Sequence, residues 1–185
     1  MPRQATTAAA LVALAALAGM TGCSQQAMKI DGGEAALAAD EGSPGFLDRI
    51  ASQAVISQND ALRGLLLLLD KEDKTKTFQQ RVEKLTERGV CPRGWGYGAA
   101  RPMTKGRLAY MVYQACKVPG GVILTLTGPS QRYCLRELQY RKMMSAGTPW
   151  NQVTGLEFVA VLSRADTYLQ NRELPGIMEA TSGGL

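Results

Sequence analysis

Hydrophobic residues recur along most of this chain at the three-and-four spacing of a helix face, and capping residues mark where each helix begins. Phe46, Leu47, Ile50, Ala54 and Val55 form an apolar stripe behind Ser43 and Pro44, a helix start with proline in the first turn. Asp60 is placed to cap a second helix, which carries Leu62 and the run Leu65 through Leu69. That run is apolar on every side and is expected at the centre of the core. Residues 70–76 (DKEDKTK) lack the glycine and acid pattern of a calcium loop and read as a charged, solvated connector. Thr77 with Gln80 spells a capping box before Phe78, Val82 and Leu85, and Gly89 ends that helix. Thr104 caps a helix carrying Leu108, Met111, Val112 and Ala115. Pro119, Gly120 and Gly121 break the pattern, and the β-branched segment over 122–127 predicts a short extended stretch. Ser130 caps Leu135, Leu138 and Met143, and Thr154 with Glu157 makes a second capping box before Phe158, Val161, Leu162 and Ala165. The expected fold class is mainly α, a small helical domain over residues 44–171 followed by a frayed tail, 172–185.

The segment before this domain has a different character. After Arg3, residues 8–20 are small or apolar without a charge, shorter than the roughly 20 residues a membrane-spanning helix needs. The order of charge, apolar run and small residues predicts a secretory signal peptide over 1–22. Residues 24–43 are small, polar and acidic, and with Cys23 they read as a flexible tether. Met20-Thr21-Gly22-Cys23 resembles the lipobox of bacterial lipoproteins, with Met20 where leucine is usual. The resemblance implies cleavage before Cys23, lipidation of its thiol and a membrane-anchored location. Ser24, standing where an aspartate would retain the protein at the inner membrane, favours the outer membrane facing the periplasm or surface. The alternative is plain secretion with Cys23 removed or left as a thiol.

The helices predict two copies of one helix–loop–helix unit, over residues 78–116 and 130–166. Val82-x-x-Leu85 matches Leu135-x-x-Leu138, and Met103-Thr104 leading to Ala115 matches Val153-Thr154 leading to Ala165. Amphipathic capped helices also resemble one another by physics alone, so chance similarity stands beside duplication. A helix, a loop and an apolar-Thr pair opening a second helix resemble the S-layer homology modules of bacterial envelopes. The resemblance covers residues 78–165 and implies small helical modules, usually in threes, that bind cell-wall polysaccharide. The arginine that contacts polymer in that family is replaced by Lys105 in one copy and Gly155 in the other.

Charge adds a second theme. Residues 88–142 hold ten basic side chains and one acidic one, against a net charge of +5 for the whole chain. Aromatics are interleaved, which makes Arg88, Arg93, Trp95, Tyr97, Arg101, Lys105, Arg107, Arg132, Arg136 and Arg141 candidate anion- or glycan-binding residues. The other reading is that these cations pair with acids of the same fold. The loop 93–98 (RGWGYG) is either an exposed recognition loop or a turn whose Trp95 packs on the core. Export argues against nucleic acid and for an anionic envelope glycan, a lipid or an envelope protein as partner.

Composition narrows the chemistry. With no histidine among 185 residues, Ser-His-Asp, Cys-His and imidazole-ligated metal sites are excluded. No Cys-x-x-Cys spacing occurs, so neither a metal nor another cofactor is expected. Cys91, Cys116 and Cys134 are three buried hydrophobes or, in an oxidising compartment, include one disulfide, with Cys116–Cys134 the first candidate across the Gly-rich insert. A carboxylate-dependent glycan hydrolase would have to use Glu137 or Glu157. Glu157 is accounted for by its capping box, and Glu137 lies among arginines that favour its charged form. A non-enzymatic binding or structural role is therefore expected, with a hydrolase and a protein–protein adaptor as alternatives.

Overall fold

The structure is a computed structural model that describes residues 43–173; the signal segment, Cys23, the tether and the chain beyond 173 lie outside the described residues. Seven helices run in order: α1 (Ser43–Ala51), α2 (Gln58–Asp70), α3 (Phe78–Glu87), α4 (Lys105–Ala115), α5 (Val122–Thr127), α6 (Gln131–Tyr140) and α7 (Gly155–Glu173). The fold is mainly α, without a named strand among the described residues.

Local chemistry sets most of these boundaries. Thr77 and Gln80 form the full capping box of α3, and Ser130 Oγ accepts the Tyr133 amide to cap α6. Gly89, at φ 71°, turns the chain after α3 in the left-handed region that glycine enters without a Cβ clash. Four expectations are corrected. The cap of α2 is Ser57, not Asp60: Asp60 is at the third helical position, where its amide donates to Ser57 Oγ and its carboxylate accepts from it. Residues 122–127 form helix α5 instead of an extended stretch, because Gly121 opens a turn that buries Leu124 against the core. Glu157 does not close a reciprocal box; Thr154 Oγ1 accepts the Glu157 amide, but the carboxylate turns to Lys105 and Ser145. Arg172 is not part of a tail, since it donates to the Cys116 and Lys117 carbonyls and so caps the C-terminal end of α4.

The tertiary plan is a ring of three units, one more than the sequence pattern showed. Ile56, Met103 and Val153, each fully buried, stand just before α2, α4 and α7. Their backbones bond in a closed cycle: the Met103 amide donates to Ile56 O, the Val153 amide to Met103 O and the Ile56 amide to Val153 O, each at 3.0 Å. A second cycle runs outside it from the first residue of each following helix. Gln58 donates to Arg101 O, Lys105 to Asn151 O and Gly155 to Gln53 O, at 2.8–2.9 Å. The outer three bonds satisfy first-turn amides that helix starts leave without intrahelical partners, and the inner three pair the amides of the buried Ile56, Met103 and Val153. The units are therefore α1–α2, α3–α4 and α6–α7, with α5 inserted between the second and third.

Helix packing follows the same rotation. α3 packs on α2, α6 on α4 and α1 on α7, so each unit lays its first helix on the second helix of its neighbour. α2 also contacts α4 and α7, and its leucines Leu65, Leu66 and Leu68 are buried in the core as expected. Gly64 permits that approach: a Cβ there would lie 2.5 Å from the Phe158 ring. The first unit is hard to see in sequence because only six residues separate α1 from α2, and its apolar–hydroxyl pair is Ile56-Ser57 where the others have Met103-Thr104 and Val153-Thr154.

The connector after α2 is a further correction. Asp73 is buried and accepts from Arg81 Nε at 2.6 Å and from the Thr75 amide at 2.9 Å, while Arg81 Nη1 donates to Asn59 Oδ1 at 2.9 Å. Burial pushes the Asp73 carboxyl up, but the hydrogen bonds from Thr75 and Arg81 outweigh it and hold the group below its usual value. Asp70 accepts from Arg88 and Lys84. The segment is a charge-locked corner that fixes α3 to α2.

Candidate functional site

The third unit carries an open groove of about 660 Å³ between α6 and the loop that leads to Val153. Ser130 opens α6, and the helix spacing places Arg132, Arg136 and Gln139 along one side while Leu135 closes the floor. The other side is the 147–150 segment, ending in Pro149 and Trp150.

That loop is held in place from three directions. Gln139 Nε2 donates to the Ser145 and Gly147 carbonyls at 3.0 and 3.1 Å, which ties it to α6. The Gly106 amide donates to Pro149 O at 3.0 Å, which ties it to α4; Gly106 has no side chain because a Cβ would meet Pro149 at 2.8 Å. Thr148 donates from its amide and hydroxyl to Asn151 Oδ1, tightening the turn on which Trp150 stands. The indole is 81% exposed although its backbone is fixed. Neither Arg132 nor Arg136 has an acidic partner among the described residues, and both are exposed. A flat aromatic face beside two unneutralised guanidinium groups can take a ring stacked on the indole and an acid held by the arginines.

The ten residues expected to share a basic-aromatic surface are dispersed by the fold. Arg88 makes a two-pronged bond to Asp70 at 2.6 and 3.0 Å. Arg141 pairs with Glu137 at 2.8 Å and donates to Pro119 O. Lys105 is not on the surface at all: it is 7% exposed, with Nζ 2.8 Å from Glu157 Oε1, 2.8 Å from Ser145 Oγ and 2.9 Å from Ala146 O. Arg107 lies over the Trp95 and Tyr97 rings at 5.5 and 6.0 Å and donates to Trp95 O, while Trp95 packs on Tyr110 at 5.0 Å. The glycine-rich loop is thus a turn whose half-buried Trp95 packs on the core. Arg101 donates to Gly96 O, and Arg93 is exposed on the same loop. Of the ten, only Arg132 and Arg136 come together in the groove.

Trp150 and Gln139 were missed by the sequence reading. Trp150 falls outside the basic block, and the signal that would have found it is a tryptophan after proline in a polar loop, where no apolar periodicity gives it a core position.

No cysteine lines the groove. Cys91, Cys116 and Cys134 are free and buried, so the expected Cys116–Cys134 bond is not formed. Burial pushes all three thiols up to about 12, far from the thiolate form. Among the described residues no cluster of acids and cysteines could hold a metal ion, and no helix is long and apolar enough to cross a membrane. No protein-family model matches this chain, and neither the curated proteins nor the solved structures searched contain a match to it.

Proposed function

We propose that this chain is a lipid-anchored protein of a bacterial envelope whose helical domain binds an anionic glycan in the groove of its third unit. The observation that carries the reading is the fixed, exposed Trp150 opposite Arg132 and Arg136. Pyranose rings stack on indole faces, and uronate or similar acids accept from guanidinium groups, so one ligand class uses both walls. Cys23, behind its lipobox-like residues, supplies the anchor, and the small, polar and acidic residues 24–42 supply the reach between membrane and domain. The closed ring of three units agrees with a resemblance to S-layer homology modules, which usually occur in threes. Glu157 and Glu137 are each engaged by a cation, which favours binding over carboxylate-dependent hydrolysis.

Titration calorimetry with trigalacturonate tests the reading. Binding should weaken about tenfold between 50 and 500 mM salt, because two exposed charge contacts are screened. It should fall by about tenfold or more in Trp150→Ala. Maltotriose, which has rings without acids, should bind more weakly than trigalacturonate. Binding that salt leaves unchanged would refute the charged groove. Capture of the domain by anionic phospholipid vesicles, with no response to trigalacturonate, would replace the glycan by a lipid surface. For the anchor, intact mass should show an acylated N-terminal cysteine, and Cys23→Ser should move the protein to the soluble fraction.

A further inference from the structure

The three-unit ring makes the groove comparable with its counterpart in the second unit. Ser130 and Thr77 are both helix caps, and Leu138 and Leu85 are both buried, which sets α6 on α3 with one constant offset. Arg132 then falls on Gln79, Arg136 on Glu83 and Gln139 on Thr86. On the loop side, Pro149 O accepts the Gly106 amide as Ala99 O accepts the Asn59 amide, so Trp150 falls on Ala100.

The chemistry at these matched positions is opposite. Where the third unit presents two arginines, the second presents Gln79 hydrogen-bonded to Glu83 at 3.0 Å. Where the third unit exposes an indole, the second has a methyl group. Resting on the functional reading above, we infer that of these two matched positions only the third unit's binds the acid, with Arg132, Arg136 and Trp150 as its specificity-determining residues and the matching position in the second unit closed to anions by Glu83. A carboxylate at that position repels the acid that Arg136 attracts, and Ala100 offers no face for a ring. The two helices and the loop-to-helix hydrogen bond match, while the loop of the second unit, between Glu87 and Lys105, is longer than that of the third, between Tyr140 and Gly155.

The inference predicts that the second position can be opened. Gln79, Glu83 and Ala100 are all exposed, so Gln79→Arg/Glu83→Arg/Ala100→Trp should keep the fold, checked by an unchanged helical circular dichroism spectrum and melting temperature. In calorimetry with trigalacturonate the natural chain should bind one ligand. Arg132→Glu/Arg136→Glu should weaken that site by about a hundredfold through charge reversal. The triple variant should bind two ligands, and it should bind one when combined with Trp150→Ala. Two ligands on the natural chain, of which Trp150→Ala removes one, would overturn the inference and leave the glycan reading standing. A folded triple variant that still binds one ligand would overturn the inference in the same way. Absence of binding by both the natural chain and the triple variant would overturn both.

Discussion

The second and third units share a frame and use charge in opposite directions. In the second, Arg81 of α3 points inward and is buried with Asp73, Asn59 and Thr75 around it, while Lys84 and Arg88 close on Asp70. In the third, the position matching Arg81 is Cys134, a buried thiol, and the unpaired cations Arg132 and Arg136 face solvent. A helix fixed by buried ion pairs has its cations committed to the fold. A helix fixed by apolar packing leaves its cations available for a partner.

Removing the inward charge is expected to have the largest effect. Asp73→Asn leaves Arg81 buried without its counter-charge, and the loss should be about 3–5 kcal/mol in urea unfolding. Arg132→Ala on the other unit should cost under about 0.5 kcal/mol, and a similar loss in both would erase the contrast. The same carboxyl carries a pH signature. Its folded pKa lies below the unfolded value of about 3.9, so its contribution is complete above that value and is lost as pH falls through the folded pKa. Stability should therefore drop more steeply below about pH 4 in the natural chain than in Asp73→Asn, as acid unfolding curves would show.

The junctions between units come next. A Cβ on Gly155 would sit 1.7 Å from Ile50 O, a backbone atom, so Gly155→Ala should force the third and first units apart at a cost of about 3 kcal/mol. At Gly106 the neighbours are Pro149 and the flexible end of Gln131 at 2.8–3.0 Å, so Gly106→Ala should be milder, at about 1–2 kcal/mol. Comparing their thermal midpoints tests whether the ring is tighter at its closing junction. Lys105→Met removes the bond from α4 to Glu157 and to the Ser145–Ala146 carrier of the groove loop, and should cost about 2 kcal/mol. It should also weaken trigalacturonate binding, whereas Lys84→Met in the second unit should leave binding unchanged.

The smallest effect concerns the thiols. With all three raised to about 12 by burial, the folded domain should consume less than one equivalent of an aromatic disulfide reagent at pH 8, and all three thiols of the domain should react in urea. Fast labelling of Cys134 alone would show that α6 is held less firmly than the chain around Cys91 that follows α3.

The sequence by itself determined the helices other than α5 and most of their starts, because caps such as Thr77–Gln80 and Ser130 act within one turn and need no distant partner. It also located the central leucines of α2, of which Leu65, Leu66 and Leu68 are buried while Leu67 and Leu69 are half-buried against the core. Arg132 and Arg136 were legible as candidates, but only among ten. Tertiary structure decided which cations are free, because Lys105 finds Glu157 and Arg88 finds Asp70 across spans of chain that no local pattern encodes. It decided that residues 122–127 coil, since Leu124 gains a buried seat by doing so. It also decided the number of units. The ring through Ile56, Met103 and Val153 is made of backbone hydrogen bonds that close only when the units pack, and the buried apolar residue followed by Ser or Thr that the three junctions share is too short a pattern to reveal it alone.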